Sequence, residues 1–293
     1  MRVYLNGEIV AAERAMVSAF DRGFLFGDGV YEGLRACDGV IVGLSAHVER
    51  MRAGLVETRI EGFEVGALGG MSEELLQANG MGDAFVYWQV TRGAPRRFDD
   101  PGAVRTRAPV GSAGFAPTVF GFCSALPRLE TYVEPGTRSA SVRPDMRWLR
   151  GHIKSISLMG SVLASLEAGE EGAEDAILVR EGHVTEGTAT NVVIAKGGRM
   201  ATPRVGGGEI LSGVTRRLIL EEDPSIEVRE ITERELRDAD EVMLVGTSTM
   251  VASVTRLDGE MVGSGRVGPA SRALLQTLVR AIRKDVASAS ARV

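Results

Sequence analysis

Residues 148–160 read WLRGHIKSISLMG and place Lys154 between two isoleucines, Ile153 and Ile156. Lysine and arginine together number 34 in this chain, yet lysine stands only at positions 154, 196 and 284, so arginine supplies nearly all of the positive charge. A lysine that departs from this preference indicates that position 154 needs an amine, which a guanidinium does not replace.

Lys154 has two interpretations. An ordinary surface lysine runs its apolar stem past its neighbours and keeps its amine in water, and this is the commoner case for any lysine. The flanking isoleucines favour the other interpretation, because they would partly desolvate the amine and disfavour its charged form. Such an amine acts as a nucleophile toward carbonyl groups and as an acid or base. The sequence therefore predicts a lysine that forms a Schiff base.

The segments around Lys154 predict a chain that mixes helices and strands. Apolar side chains at helical spacing predict a helix over 155–168, marked by Leu158, Val162, Leu163 and Leu166, which puts Lys154 at a strand-to-helix junction. Two further helices are predicted over 45–56, with Ser45 as its cap, and over 214–222. Hairpins are predicted at Asn6-Gly7 and at Asp38-Gly39, since these dipeptides accept positive φ. Runs rich in β-branched and aromatic residues predict strands at 84–91, 118–123, 137–142, 176–180, 183–185, 191–195 and 241–245.

The long segment 93–117 is rich in Gly, Pro and Arg and is predicted to be irregular, and loops of this length in compact domains are commonly functional. Residues 124–130, SALPRLE, predict an interdomain linker. The expected organisation is α+β in two lobes, an N-terminal α/β lobe over 1–123 and a C-terminal lobe over 131–293 that carries Lys154. A length of 293 residues is sufficient for two such lobes.

Composition excludes several classes of protein. Hydrophobic residues make up 44% of the chain and charged residues 25%, and no apolar run approaches the roughly 20 residues of a membrane-spanning helix. The first residues show no uninterrupted apolar segment, so we expect a cytoplasmic protein. A formal net charge of -5 gives no basic footprint for nucleic acid. The three histidines, at 47, 152 and 183, form no recognisable metal-ligand motif, so no metal is expected.

A Schiff-base lysine usually serves a carbonyl cofactor, and pyridoxal phosphate further needs a carboxylate at its ring nitrogen and a cradle for its phosphate. Glu186 lies in TEGTATN, residues 185–191, among small hydroxyl side chains that favour a buried and hydrogen-bonded carboxylate. An exposed hairpin glutamate is the alternative, and it would be the commoner case if this segment stood alone.

Three segments are candidates for the phosphate cradle, and none of them is specific alone. Arg50 lies on a predicted helix and is equally interpretable as a solvated surface residue. Gly213, Val214 and Thr215 begin a predicted helix, where free N–H groups and the helix dipole favour an anion, although simple capping explains the same residues. Thr247 follows a predicted strand and offers hydroxyl and N–H donors, although a plain turn is the alternative.

In combination, these segments resemble the fold-type IV pyridoxal-phosphate enzymes, over almost the whole chain. The resemblance rests on six motifs in order: DRGFLFGDGVYE at 21–32, HVER at 47–50, QVTRG at 89–93, RWLRGHIKS at 147–155, TEG at 185–187 with Asn191, and ILSGVTR at 210–216. The first and fourth motifs look most like those of D-amino-acid transaminases. The resemblance therefore implies a two-domain, D-amino-acid aminotransferase-like fold.

The resemblance also implies roles for single residues. Lys154 would form the Schiff base and Glu186 would pair with the pyridine nitrogen. Arg50, Gly213, Val214, Thr215 and Thr247 would hold the phosphate of pyridoxal 5'-phosphate, and Tyr31 would lie beside the substrate. The implied reaction moves an amino group from a D-amino acid such as D-alanine to a 2-oxo acid such as 2-oxoglutarate by ping-pong kinetics. A homodimer is implied too, with sites completed by the second subunit.

One departure from the family concerns the substrate carboxylate. Typical D-amino-acid transaminases carry Arg-x-His after VTRG, whereas this chain reads PRRFDDP at 95–101, with Phe98 where the histidine would align. Arg96 and Arg97 are the expected carboxylate ligands, because a guanidinium pairs with a carboxylate through two hydrogen bonds. Arg105 or Arg107 would substitute for them, and the alternative is that all four arginines solvate the loop or face a partner subunit.

Other functions stay open on the sequence. YEGLRA at 31–36 also resembles branched-chain L-amino-acid transaminases, and an (R)-amine transaminase would need less carboxylate recognition. Aminodeoxychorismate lyase shares the scaffold but fits GVYE poorly. A non-enzymatic cofactor-binding protein is the alternative from a different class, and the presence of both Lys154 and Glu186 argues against it.

Overall fold

The structure, a computed structural model, describes residues 1–99, 101–107, 114–207 and 210–291. The chain divides into two compact units. Unit 1 comprises Met1–Pro127 with Ile153–Ser157, and unit 2 comprises Arg128–His152 with Leu158–Val293. The sequence assigns Lys154 to the C-terminal lobe, but the short segment that contains it groups with unit 1.

Unit 1 contains six strands and four α-helices in its described part. They are β1 (Arg2–Leu5), β2 (Glu8–Ala11), α1 (Arg22–Phe26), β3 (Gly29–Cys37), β4 (Val40–Ile41), α2 (Leu44–Thr58), α3 (Leu68–Asn79), β5 (Ala84–Pro95), α4 (Pro101–Arg105) and β6 (Phe115–Ala125). The strands form an antiparallel sheet in the order β2-β1-β6-β5-β3-β4. One face of this sheet packs with α2 and α3 around fully buried Leu34, Leu75 and Trp88.

Both predicted hairpins of unit 1 are confirmed. Asn6 and Gly7 link β1 to β2, and Asp38 and Gly39 link β3 to β4, all four with positive φ. Ser45, however, does not cap α2. The helix begins one residue earlier, at Leu44, and its N-cap is Gly43, which adopts the left-handed conformation at φ 64°.

The irregular segment expected from residue 93 begins later than predicted, because β5 continues to Pro95. The strand continues through a bulge between Thr91 and Ala94, and Gly93 occupies this bulge at φ +81°. A Cβ at Gly93 would collide with the carbonyl oxygen of Ala116 on β6, so no other residue fits there without a shift of the backbone. Residues 100 and 108–113 of the expected loop lie outside the described residues.

Residues 153–157 group with unit 1 because they pair with the first half of β3. The N–H of Tyr31 donates to the carbonyl of Lys154 at 2.9 Å, and the N–H of Ile156 donates to the carbonyl of Gly29 at 3.1 Å. An isolated antiparallel bridge joins Val30 to Ser155 between these two bonds. The backbone at Lys154 is therefore committed to a sheet-like pairing, which explains why no helix begins at residue 155.

Unit 2 contains nine strands and four α-helices in its described part. They are β7 (Gly136–Pro144), α5 (Met159–Glu170), β8 (Asp175–Arg180), β9 (His183–Gly187), β10 (Asn191–Lys196), β11 (Arg199–Pro203), α6 (Val214–Glu222), β12 (Glu227–Arg229), α7 (Glu233–Arg237), β13 (Glu241–Gly246), β14 (Met250–Leu257), β15 (Glu260–Met261) and α8 (Pro269–Ser290). The mixed sheet runs β12-β11-β10-β13-β14-β7-β8-β9, and β15 pairs with β14. The predicted helix over 214–222 is confirmed at both ends.

Helix α5 differs from its prediction in two respects. It begins at Met159 rather than at 155, and its buried residues are Ala164 and Ala168. The side chains that marked the helix in the sequence are exposed instead, with Leu163 at 50% and Leu166 at 58%. Helical spacing was the correct signal for a helix. However, the face with small side chains packs against the rest of unit 2, and the face with large apolar side chains is exposed to solvent.

Across the described parts of the chain, no helix has both the length and the apolar character that crossing a membrane requires.

Candidate active site

Lys154 lies at the end of unit 1 where β3 begins. Its side chain is half-buried, and the Nζ atom lies 4.3 Å from the centroid of the Tyr31 ring. Ile153 beside it is 7% exposed and belongs to the core of the unit. The aromatic face attracts the amine, so the ring holds Nζ in one direction. Unit 1 thus brings together two of the residues expected from the sequence, Lys154 and Tyr31.

Arg50 lies on α2 and is fixed by Glu32, which follows Tyr31 on β3. The guanidinium donates through Nε to Glu32 Oε1 at 2.8 Å and through Nη2 to Oε2 at 2.6 Å. His47, one helical turn before Arg50, lies 2.7 Å from the same carboxylate through Nδ1. Arg50 is therefore a partly buried cation with a fixed orientation, as an anion ligand requires.

The electrostatics of this group follow from burial and pairing. Burial acts to raise the pKa of Glu32, but the charge and hydrogen bonds of Arg50, with a contribution from His47, lower it to about 2. Burial also lowers the pKa of His47, although Glu32 opposes this effect. Near neutral pH we therefore assign an ionised Glu32 and a neutral His47 beside the Arg50 guanidinium.

A second charged cluster in unit 1 was not predicted from the sequence. Asp28 accepts from Arg22 Nε at 2.7 Å and from Arg92 Nε at 2.8 Å, so a single carboxylate joins the motifs at 21–32 and 89–93. Burial acts to raise the pKa of Asp28, but the two arginines lower it overall. Arg22 also donates to the backbone carbonyls of Thr106 and Arg107. This cluster therefore fixes the end of the segment that follows α4.

The loop arginines expected to bind substrate are exposed. Arg96 is held through its backbone, whose N–H donates to the carbonyl of Gly114 at 2.9 Å. Arg97 pairs with Asp99, and its side chain is 81% exposed. Phe98 packs against Phe20 with 5.4 Å between ring centroids, so it offers no polar group in place of the family's histidine. The role of Arg96 and Arg97 in binding a substrate carboxylate stays a prediction.

In unit 2, Glu186 lies on β9 and is 5% exposed. Its Oε1 accepts a hydrogen bond from Arg147 Nη1, and its Oε2 accepts from Asn191 Nδ2 at 3.2 Å and from the N–H of Leu211 at 3.1 Å. All three partners donate, so both carboxylate oxygens act as acceptors, which favours the ionised form. The sequence therefore predicted burial and hydrogen bonding of Glu186 correctly, but it did not identify the cation beside it.

Arg147 belongs to a network that spans three neighbouring strands. Asp145, just after β7, accepts from Arg147 Nε at 2.9 Å and Nη2 at 2.8 Å, and from Thr185 Oγ1 at 2.8 Å. Arg180, at the end of β8, donates to the backbone carbonyls of Asp145 and Arg147. Each strand of the β7-β8-β9 group therefore contributes to fixing Arg147.

The groups suited to a phosphate lie at the start of α6 and after β13. Gly213 is the N-cap of α6, and because it has no side chain it supplies no side-chain cap to the first-turn N–H groups. A Cβ at Gly213 would collide with Asn191 Oδ1, so glycine permits the approach of the helix end to β10. Asn191 in turn donates to Glu186, so unit 2 brings the helix end and the carboxylate to one place.

A buried hydroxyl lies beside the turn that carries Thr247. Thr190 is 7% exposed, and within the described residues its Oγ1 has no hydrogen-bond partner. Its methyl group approaches Gly246, because a Cβ there would lie 3.3 Å from Thr190 Cγ2. A buried donor without a partner is costly unless a ligand satisfies it. The Thr190 hydroxyl and the first-turn N–H groups of α6 are donors of the kind that the phosphate of the expected cofactor needs.

Two partners of Arg50, Glu32 and His47, were not predicted as functional residues. Glu32 follows Tyr31 within one motif, and His47 precedes Arg50 by the three positions that place two side chains on one helix face, so both had a detectable signal. Arg147 also lies inside a quoted motif, but its pairing with Glu186 spans 39 positions and has no local signal.

Unit 1 offers an amine, a buried carboxylate and a guanidinium, and unit 2 offers a buried carboxylate and donors for an anion. Within the described ranges, no group of three or more His, Cys, Asp or Glu side chains could hold a metal ion. An arrangement of this type suits proton transfer at an organic cofactor that carries a phosphate.

Comparison with known proteins agrees with this chemistry. The sequence pattern of the family "Amino-transferase class IV" matches residues 29–257. The chain is 38% identical to a D-alanine aminotransferase of Staphylococcus haemolyticus, over 93% of this chain and 95% of that protein. It is 36% identical to a D-alanine aminotransferase of Bacillus licheniformis, over 98% of this chain and 99% of that protein. Among solved structures, the branched-chain aminotransferase of Thermoproteus uzoniensis shares the fold, with a TM-score of 0.80 at 24% identity over 97% of this chain and 96% of that one. The chain therefore belongs to the class IV aminotransferases, the fold-type IV enzymes that depend on pyridoxal 5'-phosphate.

Proposed function

We propose that this aminotransferase moves the amino group of a D-amino acid such as D-alanine to a 2-oxo acid such as 2-oxoglutarate. The observation that carries the catalytic part is the half-buried Lys154 amine, 4.3 Å from the Tyr31 ring. The choice of D-amino acids is supported by two relatives of nearly full length that are named D-alanine aminotransferases. The cytoplasmic location expected from the sequence stays a prediction.

The residues have distinct roles in this proposal. When bound, pyridoxal phosphate supplies an electron sink for the bond that breaks at the substrate α-carbon. Lys154 Nζ would take the proton from that carbon and return it to C4′ of the cofactor, while Tyr31 limits the directions that Nζ can take. Glu186 holds the proton at the ring nitrogen. Arg50, Val214, Thr215 and Thr247 bind the phosphate, and Gly213 leaves the helix end open for it.

We assign the substrate carboxylate to Arg96, with Arg97 as a further ligand, and we propose that they act on the site of a second subunit. Tyr31 is the register partner of Gln89, and Arg96 follows Gln89 by seven positions, one residue beyond the end of β5. At ~3.3 Å per residue, this separation is about 20 Å, far beyond the reach of an arginine side chain. Arg96 of one chain is therefore poorly placed to serve Lys154 of that chain.

A homodimer is supported by apolar surface on unit 2. Eight of the exposed large apolar side chains of unit 2 fall in two stretches of sequence, 146–149 and 158–166: Met146, Trp148, Leu149, Leu158, Met159, Val162, Leu163 and Leu166. The second stretch follows one face of α5, and Gly160 of α5 lies against Arg147 from the first stretch, so the two stretches adjoin. Monomeric proteins rarely expose so much contiguous apolar surface. We propose that a second copy of this chain covers it.

Leu163→Glu is expected to weaken the dimer by about a hundredfold or more, because a charge at the centre of an apolar interface is left without a partner. The measurement is the molar mass by light scattering over a concentration series. Val228→Glu is the matched control, since Val228 is 47% exposed on β12 and lies outside the apolar surface. If Leu163→Glu and wild type dissociate at the same concentration, the surface on α5 is not the interface.

D-Alanine is expected to remove the visible absorption band of the cofactor-loaded protein and to release pyruvate. With L-leucine or an (R)-arylalkylamine, we expect rates lower by about a hundredfold or more, equivalent to about 2.7 kcal/mol of barrier. Stopped-flow absorbance with each donor measures this difference. A faster response to L-leucine would move the assignment to branched-chain L-transaminases, and a faster response to the amine would move it to (R)-amine transaminases. Pyruvate released from aminodeoxychorismate alone would instead favour the lyase.

A further inference from the structure

The strongest feature outside the assigned roles is the buried arginine behind Glu186. The side chain of Arg147 is 13% exposed and lies between two carboxylates. The side chain of Asp145 is 0% exposed and that of Glu186 is 7% exposed. Two of the guanidinium nitrogens of Arg147 donate hydrogen bonds to Asp145, and the third donates to Glu186. Burial acts to lower the pKa of Arg147, but the two carboxylates outweigh it and raise the pKa above its ordinary value.

A buried arrangement of this kind is costly unless its geometry is fixed, because each charge has left water. Several contacts fix it. Arg180 Nη2 lies 3.0 Å from Asp145 Oδ1 and donates to the carbonyl of Arg147 at 2.8 Å, and Thr185 donates to the other Asp145 oxygen. Asp145 thus has several donors of its own and does not depend on Arg147 alone. The direction of Arg147 toward Glu186 is a property of the whole network.

We propose that Arg147 is a positioning residue that, held by Asp145, keeps Glu186 ionised and fixes its direction, and so determines how well Glu186 binds the protonated ring nitrogen of the cofactor. This inference rests on the role proposed for Glu186. It assigns to Arg147 an effect on one atom of the cofactor, which a purely structural arginine would not have.

The hydrogen-bond donors around Glu186 are divided between its two carboxylate oxygens. Arg147 binds Oε1, while Asn191 and Leu211 bind Oε2, so the carboxylate is restrained at both oxygens. Each carboxylate oxygen has two lone-pair directions, so a restrained carboxylate can still accept a further N–H from the ring. Without the cation, the buried carboxylate would more readily take up a proton and lose the charge that attracts the ring nitrogen.

The test compares two cofactors, pyridoxal phosphate and its 1-deaza analogue, in which carbon replaces the ring nitrogen. Dissociation constants are measured for wild type and for Arg147→Gln by titrating the cofactor-free protein and following absorbance. Wild type is expected to prefer pyridoxal phosphate. Arg147→Gln is expected to reduce this preference by about tenfold or more, the scale of one charge-assisted hydrogen bond.

Three further variants separate the proposed role from a structural one. Arg147→Lys keeps a cation and should retain part of the preference, and Asp145→Asn, which releases Arg147, should reduce it in the same direction. If Arg147→Gln does not fold, which thermal unfolding would detect, Arg147→Lys and Asp145→Asn still test the proposal. Arg143→Gln is the matched control, because Arg143 lies on β7 and pairs with exposed Glu171, and it should leave the preference unchanged.

The outcomes distinguish two failures. If wild type binds both cofactors equally, Glu186 does not bind the ring nitrogen, and the role proposed for Glu186 is wrong. If wild type prefers pyridoxal phosphate and Arg147→Gln keeps or increases that preference, the role of Glu186 stands and the role of Arg147 is overturned. Equal weakening of both cofactors in Arg147→Gln would also overturn it, since that is the result of a structural role alone.

Discussion

Lys154→Ala is expected to lower transamination of D-alanine by about a thousandfold or more. The substitution removes the amine that lies over Tyr31, and with it both the nucleophile and the proton carrier of the site. A positioned acid or base alone contributes about 10²- to 10⁴-fold to a rate. The measurement is kcat with D-alanine and 2-oxoglutarate, together with the rate of a single half-reaction.

Two controls accompany Lys154→Ala. Lys196→Ala removes a lysine that is 64% exposed and pairs with Asp240, and it should leave kcat unchanged. Added methylamine should restore part of the activity of Lys154→Ala, because a small amine can enter the space that the lysine chain leaves and carry the proton. A Lys154→Ala protein that keeps a tenth of the wild-type kcat would show that another group moves the proton.

Local signals predicted the parts of the fold that depend on local chemistry. Asn6-Gly7 and Asp38-Gly39 adopt positive φ in tight turns, and α6 begins after Gly213, as the turn and capping preferences of these residues indicate. Helix α5 shows what such local signals do not predict. Its apolar spacing predicted a helix correctly, but periodicity gives no information on which face is covered, and the large apolar face is the exposed one.

The start of α5 was misplaced for a different reason. Residues 153–157 have the composition of a helix start, but their backbone pairs with β3, more than 120 positions earlier in the chain. A pairing between such distant segments leaves no periodic pattern in either of them. The same limit applies to the candidate site. Lys154 and Glu186 were identified from their immediate neighbours, whereas the pairing of Arg92 with Asp28 and that of Arg147 with Glu186 join distant elements and needed the fold.

Glu186→Gln is expected to slow the D-alanine half-reaction by about a hundredfold or more, while the protein still binds the cofactor. The substitution preserves shape but removes the negative charge that stabilises a proton at the ring nitrogen, and loss of one well-placed electrostatic group commonly costs ~10²- to 10³-fold. Stopped-flow absorbance with D-alanine measures the effect, and Glu230→Gln, an exposed carboxylate paired with Arg204, is the control.

The stability of Glu186→Gln bears on the interpretation of that rate. The substitution leaves the buried Arg147 cation with one carboxylate fewer, and breaking a buried ion pair can cost about 3–5 kcal/mol. Asp145 still binds two guanidinium nitrogens, so we expect a smaller loss, measured as the midpoint of urea unfolding. A slow half-reaction in a variant that unfolds near the wild-type midpoint would assign the effect to the charge at the ring nitrogen. A half-reaction within threefold of wild type would contradict the role of Glu186, because a carboxylate that holds the proton cannot be replaced by an amide without loss of rate.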